Sequence, residues 1–200
     1  LVGSEMCIRD RDTGGVFHLS SAGNLRLPQT GNHLLFPKMK CEREELPVQI
    51  ESIFERRRFV FLDGGMGTQL QQRGLQPGQK PELAALEMPE ILTAIHADYA
   101  AAGADLLLAN TFGANARKLA GTGYSVAQVV EASLACARRG AASTGALVGL
   151  DIGPLGELLA PAGTLPFTDA YAAFAEIVEA GVAAGADFVF LETMTALYAL

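Results

Sequence analysis

From residue 59 onward, short apolar runs stop abruptly at a polar residue, and longer alanine-rich stretches separate them. "FVFLD" ends at Asp63, "ADLLLAN" at Asn110, "ALVGLD" at Asp151 and "FVFLE" at Glu192. Apolar runs of this length, rich in Val, Leu and Phe, predict buried strands. The stretches around 90–102, 125–140 and 168–184 are dominated by good helix formers. The last of them offers Thr168 as an N-cap and Gly185 as a stop. Buried strands alternating with helices predict βαβ units and a parallel sheet, an α/β fold.

An internal repeat refines this picture. "AAGADLLLANTF" at 101–112 returns as "AAGADFVFLETM" at 183–194, 82 residues later, and half that offset, 41, leads from Asn110 to Asp151 and on to Glu192. Repetition at one spacing favours a (β/α)8 TIM barrel over a doubly wound sheet, and such a barrel carries its chemistry at the C-terminal strand ends. The polar residues stand at those ends. A barrel takes about 250 residues, so the 142 residues after position 58 correspond to about the first four βα units, the N-terminal half of a domain spanning 51–200.

Residues 1–50 show no sustained helical or strand period and predict an unstructured leader. Their opening, "LVGSEMCIRDRD", resembles the translated read-through of a sequencing adapter and carries no fold signal. "PVQIESIFERRR" at 47–58 predicts a short helix with Ile50, Ile53 and Phe54 as its apolar side.

Charge and cysteine usage narrow the function classes. Residues 1–58 carry 9 Lys/Arg against 8 Asp/Glu, and residues 59–200 carry 6 against 14. An acidic body without clustered cations is a poor partner for nucleic acid. The run "RRR" at 56–58 reads as a solvated lead-in to the first strand. No membrane-length apolar stretch and no secretory signal occurs, which points to a cytoplasmic protein. Cys7, Cys41 and Cys136 are widely spaced and form no disulfide framework.

The segment "LDGGMGTQL" poses the chemical question, because Asp63 closes a buried run and glycines follow at 64, 65 and 67. A dinucleotide fingerprint would need glycine where Leu70 stands, and a phosphate loop would need Gly-Lys-Ser/Thr. An ordinary βα turn explains the glycines but not the acid, which needs a cationic partner when desolvated. A zwitterion satisfies both: the turn at Gly64 and Gly65 takes a carboxylate, and Asp63 takes an ammonium. Glu192 closes another apolar run and would share that ammonium, or would simply reach water. Asn110 and Thr111 either bond a ligand or fix their turn, and Asp151 is as apt to brace the loop "DIGPLGELLAP" as to touch a ligand. His96 and Cys136 lie within helices and read as packed side chains. Schiff-base chemistry would want a strand-end lysine, whereas Lys80 and Lys118 lie in connecting segments.

Taken together, "LDGGMGTQL", "PEILTAIHADYAAAGADLLLANTFGAN", "DIGPLGELLAPAGTL" and "AGADFVFLETM" resemble, in order, the homocysteine S-methyltransferase family, over about 59–200. The resemblance implies a (β/α)8 barrel that binds homocysteine and a methyl donor and transfers the methyl to sulfur, giving methionine. It implies that Asp63 and Glu192 hold the substrate amino group, with Gly64 and Gly65 near its carboxylate and Asn110 at the same site. It also implies a catalytic zinc that keeps the substrate sulfur as thiolate, held by three cysteines on later strands beyond Leu200. Cys7, Cys41 and Cys136 match none of them, so no metal ligand is assigned and residues 1–200 are expected to be inactive alone. The donor stays open, with cobalamin a possible methyl carrier. Two other readings stand beside this one: an amino-acid-binding module without metal chemistry, and a different barrel enzyme using Asp63 and Glu192 as acid and base.

Overall fold

The computed structural model describes residues 6–9, 16–19, 25–26 and 50–194. The chain divides into two compact units, Leu1–Leu46 and Pro47–Leu200.

In the first unit, β1 (Met6–Arg9), β2 (Val16–Leu19) and β3 (Leu25–Arg26) form an antiparallel sheet in that order, with Cys7 opposite His18 and Leu19 opposite Leu25. Sequence periodicity predicted no element here. Strands of four, four and two residues are too short to show a period-two pattern. The rest of the expected leader, including Cys41, lies outside the described residues.

The second unit is a parallel α/β layer. Strands β4 (Leu106–Leu108), β5 (Leu147–Ile152) and β6 (Phe188–Leu191) pair in parallel in sequence order. The helices between them are α4 (Pro89–Ala101), α6 (Val126–Ala141) and α7 (Phe167–Ala183), each within a residue or two of its predicted bounds. Shorter helices complete the unit: α1 (Glu51–Arg56), α2 (Met66–Gln72), α3 (Ala84–Glu87) and α5 (Ala116–Leu119). The predicted helix at 47–58 is α1, although Phe54 on its expected apolar side is exposed.

Local chemistry explains the helix ends. Ser125 starts α6 with a reciprocal capping box: the Gln128 N–H donates to Ser125 Oγ at 3.2 Å, and the Ser125 N–H donates to Gln128 Oε1 at 3.0 Å. Helix α7 begins at Pro166 rather than at Thr168, which sits inside the first turn. Proline's fixed φ suits helix entry without a side-chain cap.

The repeated "AAGAD" has a structural meaning at both occurrences. Gly103 and Gly185 take φ of 102° and 76°, the left-handed region that ends a helix. The next N–H, of Ala104 or Ala186, reaches back to the carbonyl of Tyr99 or Gly181. The following aspartate then latches the neighbouring strand: Asp105 Oδ2 accepts the Phe61 N–H at 3.1 Å, and Asp187 Oδ2 accepts the Val148 N–H at 2.8 Å. An arginine meets the other oxygen in each case, Arg57 at 2.6 Å and Arg138 at 3.3 Å. Arg57 stays largely exposed, as the solvated reading of 56–58 expects, and pairs from there with the buried Asp105.

The predicted first strand at 59–63 is reduced to one parallel bridge, Leu62 to Leu106. The Phe61 carbonyl accepts the N–H of both Asp105 and Leu106, and the Asp63 N–H donates to the Leu106 carbonyl. Its own N–H goes to the Asp105 side chain, so the ladder is too short to count as a strand. Beneath the sheet, the helix-facing residues Leu107, Val148, Leu150 and Ile152 pack with Val129, Val130 and Leu134 of α6 and Ile177 of α7 as one buried core. A second cluster of Leu70, Leu75, Leu92, Ile95 and Cys136 ties α2 to α4 and α6.

Register departs from the uniform repeat. Leu106 pairs with Leu147, 41 residues on, whereas Gly149 pairs with Phe188, 39 on. Asp151 therefore lies opposite Phe190, and Glu192 projects two residues further along its strand. Stagger of this kind accompanies a sheet whose strands tilt.

Candidate functional site

The four polar strand ends do not share one role. The Asp63 carboxylate folds against the neighbouring strand end, where Oδ2 accepts the Leu108 N–H at 2.9 Å. Burial pushes its pKa up to about 6, against the hydrogen bonds from the Leu108 and Asp63 N–H groups, and the charge of Glu192 adds to the rise. Asp151 is buried at 6% exposure, and its pKa is pushed up to about 7, by burial first and then by the charges of Glu192 and Asp63. Asp63 feels the charge of Glu192, and Asp151 feels those of Glu192 and Asp63, which places the three acids in one neighbourhood at the C-terminal ends of β5, β6 and the bridged segment beside β4.

Asn110 is buried, and its amide nitrogen donates to the Pro81 carbonyl at 2.6 Å. Thr111 fixes its turn: its hydroxyl donates to the Asp151 carbonyl at 2.8 Å and accepts the Asp151 N–H at 3.0 Å. The main chain of Asp151 is thus braced by Thr111, while its side-chain Oδ1 is buried without a hydrogen-bond partner.

Gly64 and Gly65 lead into α2, with Gly65 as its N-cap. Tyr99 of α4 closes over them, its hydroxyl donating to the Gly65 carbonyl at 3.3 Å, and a Cβ on Gly64 would stand 3.0 Å from its ring. Burial and the Asp63 charge raise the Tyr99 pKa. Sequence reasoning missed Tyr99 because it sits mid-helix, one turn before the "AAGAD" stop. It also missed Thr193, which follows Glu192 with φ of 58°. A β-branched residue in the left-handed region is strained, and it sets the direction in which the chain leaves Glu192.

His96 and Cys136 are packed side chains, as expected. His96 is fully buried between α4 and α6 with both ring nitrogens unpartnered, and burial lowers its pKa to about 4. Cys136 is buried, its Sγ toward the Ala85 and Pro89 carbonyls. Among the described residues no group of three or more His, Cys, Asp or Glu is placed to hold a metal ion. The acids at the strand ends are hard oxygen donors, and the one described cysteine whose side chain is placed is committed to the core, so these residues do not fit a thiolate-bound zinc. No helix among them is long and apolar enough to cross a membrane.

Parallel strands with intervening helices define an α/β protein, and its acids stand at the C-terminal strand ends, where ligand sites of such sheets are usually found. A family model described as homocysteine S-methyltransferase matches residues 60–200, and the chain belongs to that family. Among solved structures it is similar to the homocysteine methyltransferase MmuM from Escherichia coli. The metallated form superposes with a TM-score of 0.66 at 24% identity, over 75% of this chain and 59% of that one. The oxidized form gives 0.66 at 24% identity over 75% and 58%, and the apo form 0.59 at 24% over 75% and 55%. At this identity the likeness establishes a shared fold. The chain spans under two thirds of the length of each of these structures.

Proposed function

We propose that the protein transfers a methyl group from a donor to the sulfur of homocysteine, giving methionine, and that Asp63 and Glu192 hold the substrate ammonium. The observation that carries this reading is the half-buried Asp63 carboxyl, fixed by the Leu108 N–H and with its pKa pushed up by burial and by the nearby Glu192 charge, in a chain of this family. Burial and a neighbouring acid raise the cost of ionising Asp63, and a bound ammonium relieves it. In this reading the turn at Gly64 and Gly65 lies near the substrate carboxylate, with the Cβ position of Gly64 taken by Tyr99 and that of Gly65 more open, and Asn110 shapes the rim through its bond to Pro81. The parallel strands belong, in this reading, to the first half of a (β/α)8 barrel acting in the cytoplasm.

A thiol is a weak nucleophile near neutral pH, and the zinc implied by the sequence resemblance would supply thiolate character. The described residues hold none of its ligands, so no step is assigned to it, and none to a cobalamin carrier. A second reading stands beside it: an amino-acid-binding module whose acid site works without metal chemistry.

The test uses the full-length protein with Asp63→Asn and Glu192→Gln. Each should raise the KM for homocysteine by roughly 30-fold or more, the scale of losing one partner of a desolvated charge pair, with folding intact by circular dichroism. Unchanged KM in both variants would remove the proposed site. Tight homocysteine binding by the wild-type protein without turnover on any methyl donor would favour the binding module.

A further inference from the structure

We propose that Asp151 is a third acid of the ligand site, its Oδ1 taking one hydrogen of the substrate's primary ammonium alongside Asp63 and Glu192. The inference rests on the ammonium-binding reading above and adds a residue to it.

Asp151 could instead serve only to brace its loop. The structure gives that task to main-chain atoms, because Thr111 bonds the Asp151 N–H and carbonyl and leaves the carboxyl group out. What remains is a side chain 6% exposed whose Oδ1 has no partner. Buried polar atoms are nearly always satisfied, and a carboxyl group left bare beside two other acids is costlier still. Its direction follows from the pleat. Val148, Leu150 and Ile152 pack toward the helices, so Asp151 faces the opposite side of β5. It shares that side with Phe190, its partner on β6, and with Glu192 two residues further on. The groups facing it are therefore Glu192 from the end of β6, Asp63 from the bridge beside β4 and the Thr111 hydroxyl beneath.

The chemistry of the occupant follows from count and reach. A primary ammonium has three N–H donors, and Asp151 lies within reach of the charges of Glu192 and Asp63. Among the described residues no group of three or more His, Cys, Asp or Glu side chains is placed to hold a metal ion. An ammonium donates to oxygens at about 2.7–3.2 Å, and Asp151 Oδ1 is an oxygen with no other partner. With its pKa pushed up to about 7, Asp151 holds a proton part of the time in the empty site. Ammonium binding favours the carboxylate, and that proton leaves to solvent.

Calorimetry on the full-length protein tests this, in two buffers of different ionisation enthalpy at pH 7, with homocysteine and with 4-mercaptobutanoate, which lacks the amino group. The wild type should release a measurable fraction of a proton on binding homocysteine and none attributable to the amino group on binding the analogue. Asp151→Asn should lose roughly 10- to 100-fold in homocysteine affinity, lose most of the proton release and keep its affinity for the analogue. The proposal is overturned if Asp151→Asn binds homocysteine like wild type, or if it loses both ligands equally. Should that variant not fold, absence of proton release by the wild type at pH 7 overturns it independently. If Asp63→Asn also leaves homocysteine affinity intact, the ammonium-site reading falls as well; if Asp63→Asn weakens binding and Asp151→Asn does not, only the role of Asp151 falls.

Discussion

The carboxylate of Asp63 accepts the backbone N–H of Leu108 at 2.9 Å, so an acid at the end of a one-bridge strand is fixed to the end of its neighbour. That bond holds the side chain in place while burial and the Glu192 charge disfavour its ionised form. Holding this carboxyl in place therefore costs the ligand-free protein stability wherever the group is ionised.

Replacing it should show the trade. Asn at 63 keeps an oxygen for the Leu108 N–H and removes the charge. The folded-state pKa of about 6 lies above the ordinary aspartate value of 3.8, so between the two the native protein holds a proton that the unfolded chain has released. The stabilisation this gives is complete below about pH 4 and lost as pH rises through about 6. Asp63→Asn should accordingly stabilise the ligand-free protein by about 1 to 3 kcal/mol at pH 7.5 and by little at pH 4. Urea midpoints at the two pH values check it, and a variant less stable than wild type at pH 7.5 would show the carboxylate to be structural.

At the opposite end of the strands, Asp105 and Asp187 hold backbone N–H groups of adjacent strands. Alanine at either position leaves an N–H without its acceptor and should cost about 1 to 3 kcal/mol. Homocysteine affinity should be unaltered in the folded fraction, because the latches lie at the N-terminal rim. Asn should recover most of the loss for Asp187, whose Val148 bond is the shorter. Equal loss in the Ala and Asn variants would assign the stability to the arginine pairs instead.

These latches show where the sequence was informative. The "AAGAD" repeat marks two real structural units, yet its aspartates stand before the strands, away from the C-terminal ends where ligands sit in such sheets, and their latching bonds reach a neighbouring strand that no local pattern names. Asp63 and Glu192 were legible as acids closing apolar runs, and the electrostatics couple them. Asn110, equally prominent in the spacing, spends its amide nitrogen on Pro81, a contact between segments 29 residues apart that no local pattern carries. Asp151 stayed open between loop brace and ligand contact, because the side of the sheet it faces depends on what its strand packs against. The stagger of two residues between successive pairings is a property of the sheet, invisible in a uniform spacing of 41.

Thr193 supplies a test of strain. Its φ of 58° puts a β-branched residue where Asn is tolerated and Thr is not. Thr193→Asn should raise stability by about 0.5 to 1 kcal/mol, read as a higher denaturation midpoint with an unchanged m-value. Destabilisation would mean that the Thr193 side chain makes contacts worth more than the strain.

His96 carries the opposite pH signature to the site acids. Its helix packs closely on α6, where a Cβ on Gly140 would come within 2.5 Å of the His96 Cβ, and both ring nitrogens are buried without a partner. Burial lowers its pKa from 6.5 to about 4. The unfolded chain therefore takes up a proton that the native state refuses, and the stability contributed is complete above about pH 6.5 and lost as pH falls toward 4. Over the same interval Asp63 and Asp151 act in the other direction, so the wild-type profile should be flatter than either contribution alone. His96→Leu removes the acid-side loss and two unsatisfied nitrogens while keeping comparable volume. Relative to wild type it should gain about 2 to 3 kcal/mol more at pH 4 than at pH 7.5. Denaturant titrations of the single variants and of His96→Leu combined with Asp63→Asn separate the two slopes. A His96→Leu profile parallel to wild type between pH 4 and 6.5 would mean that the imidazole reaches water or a partner in solution.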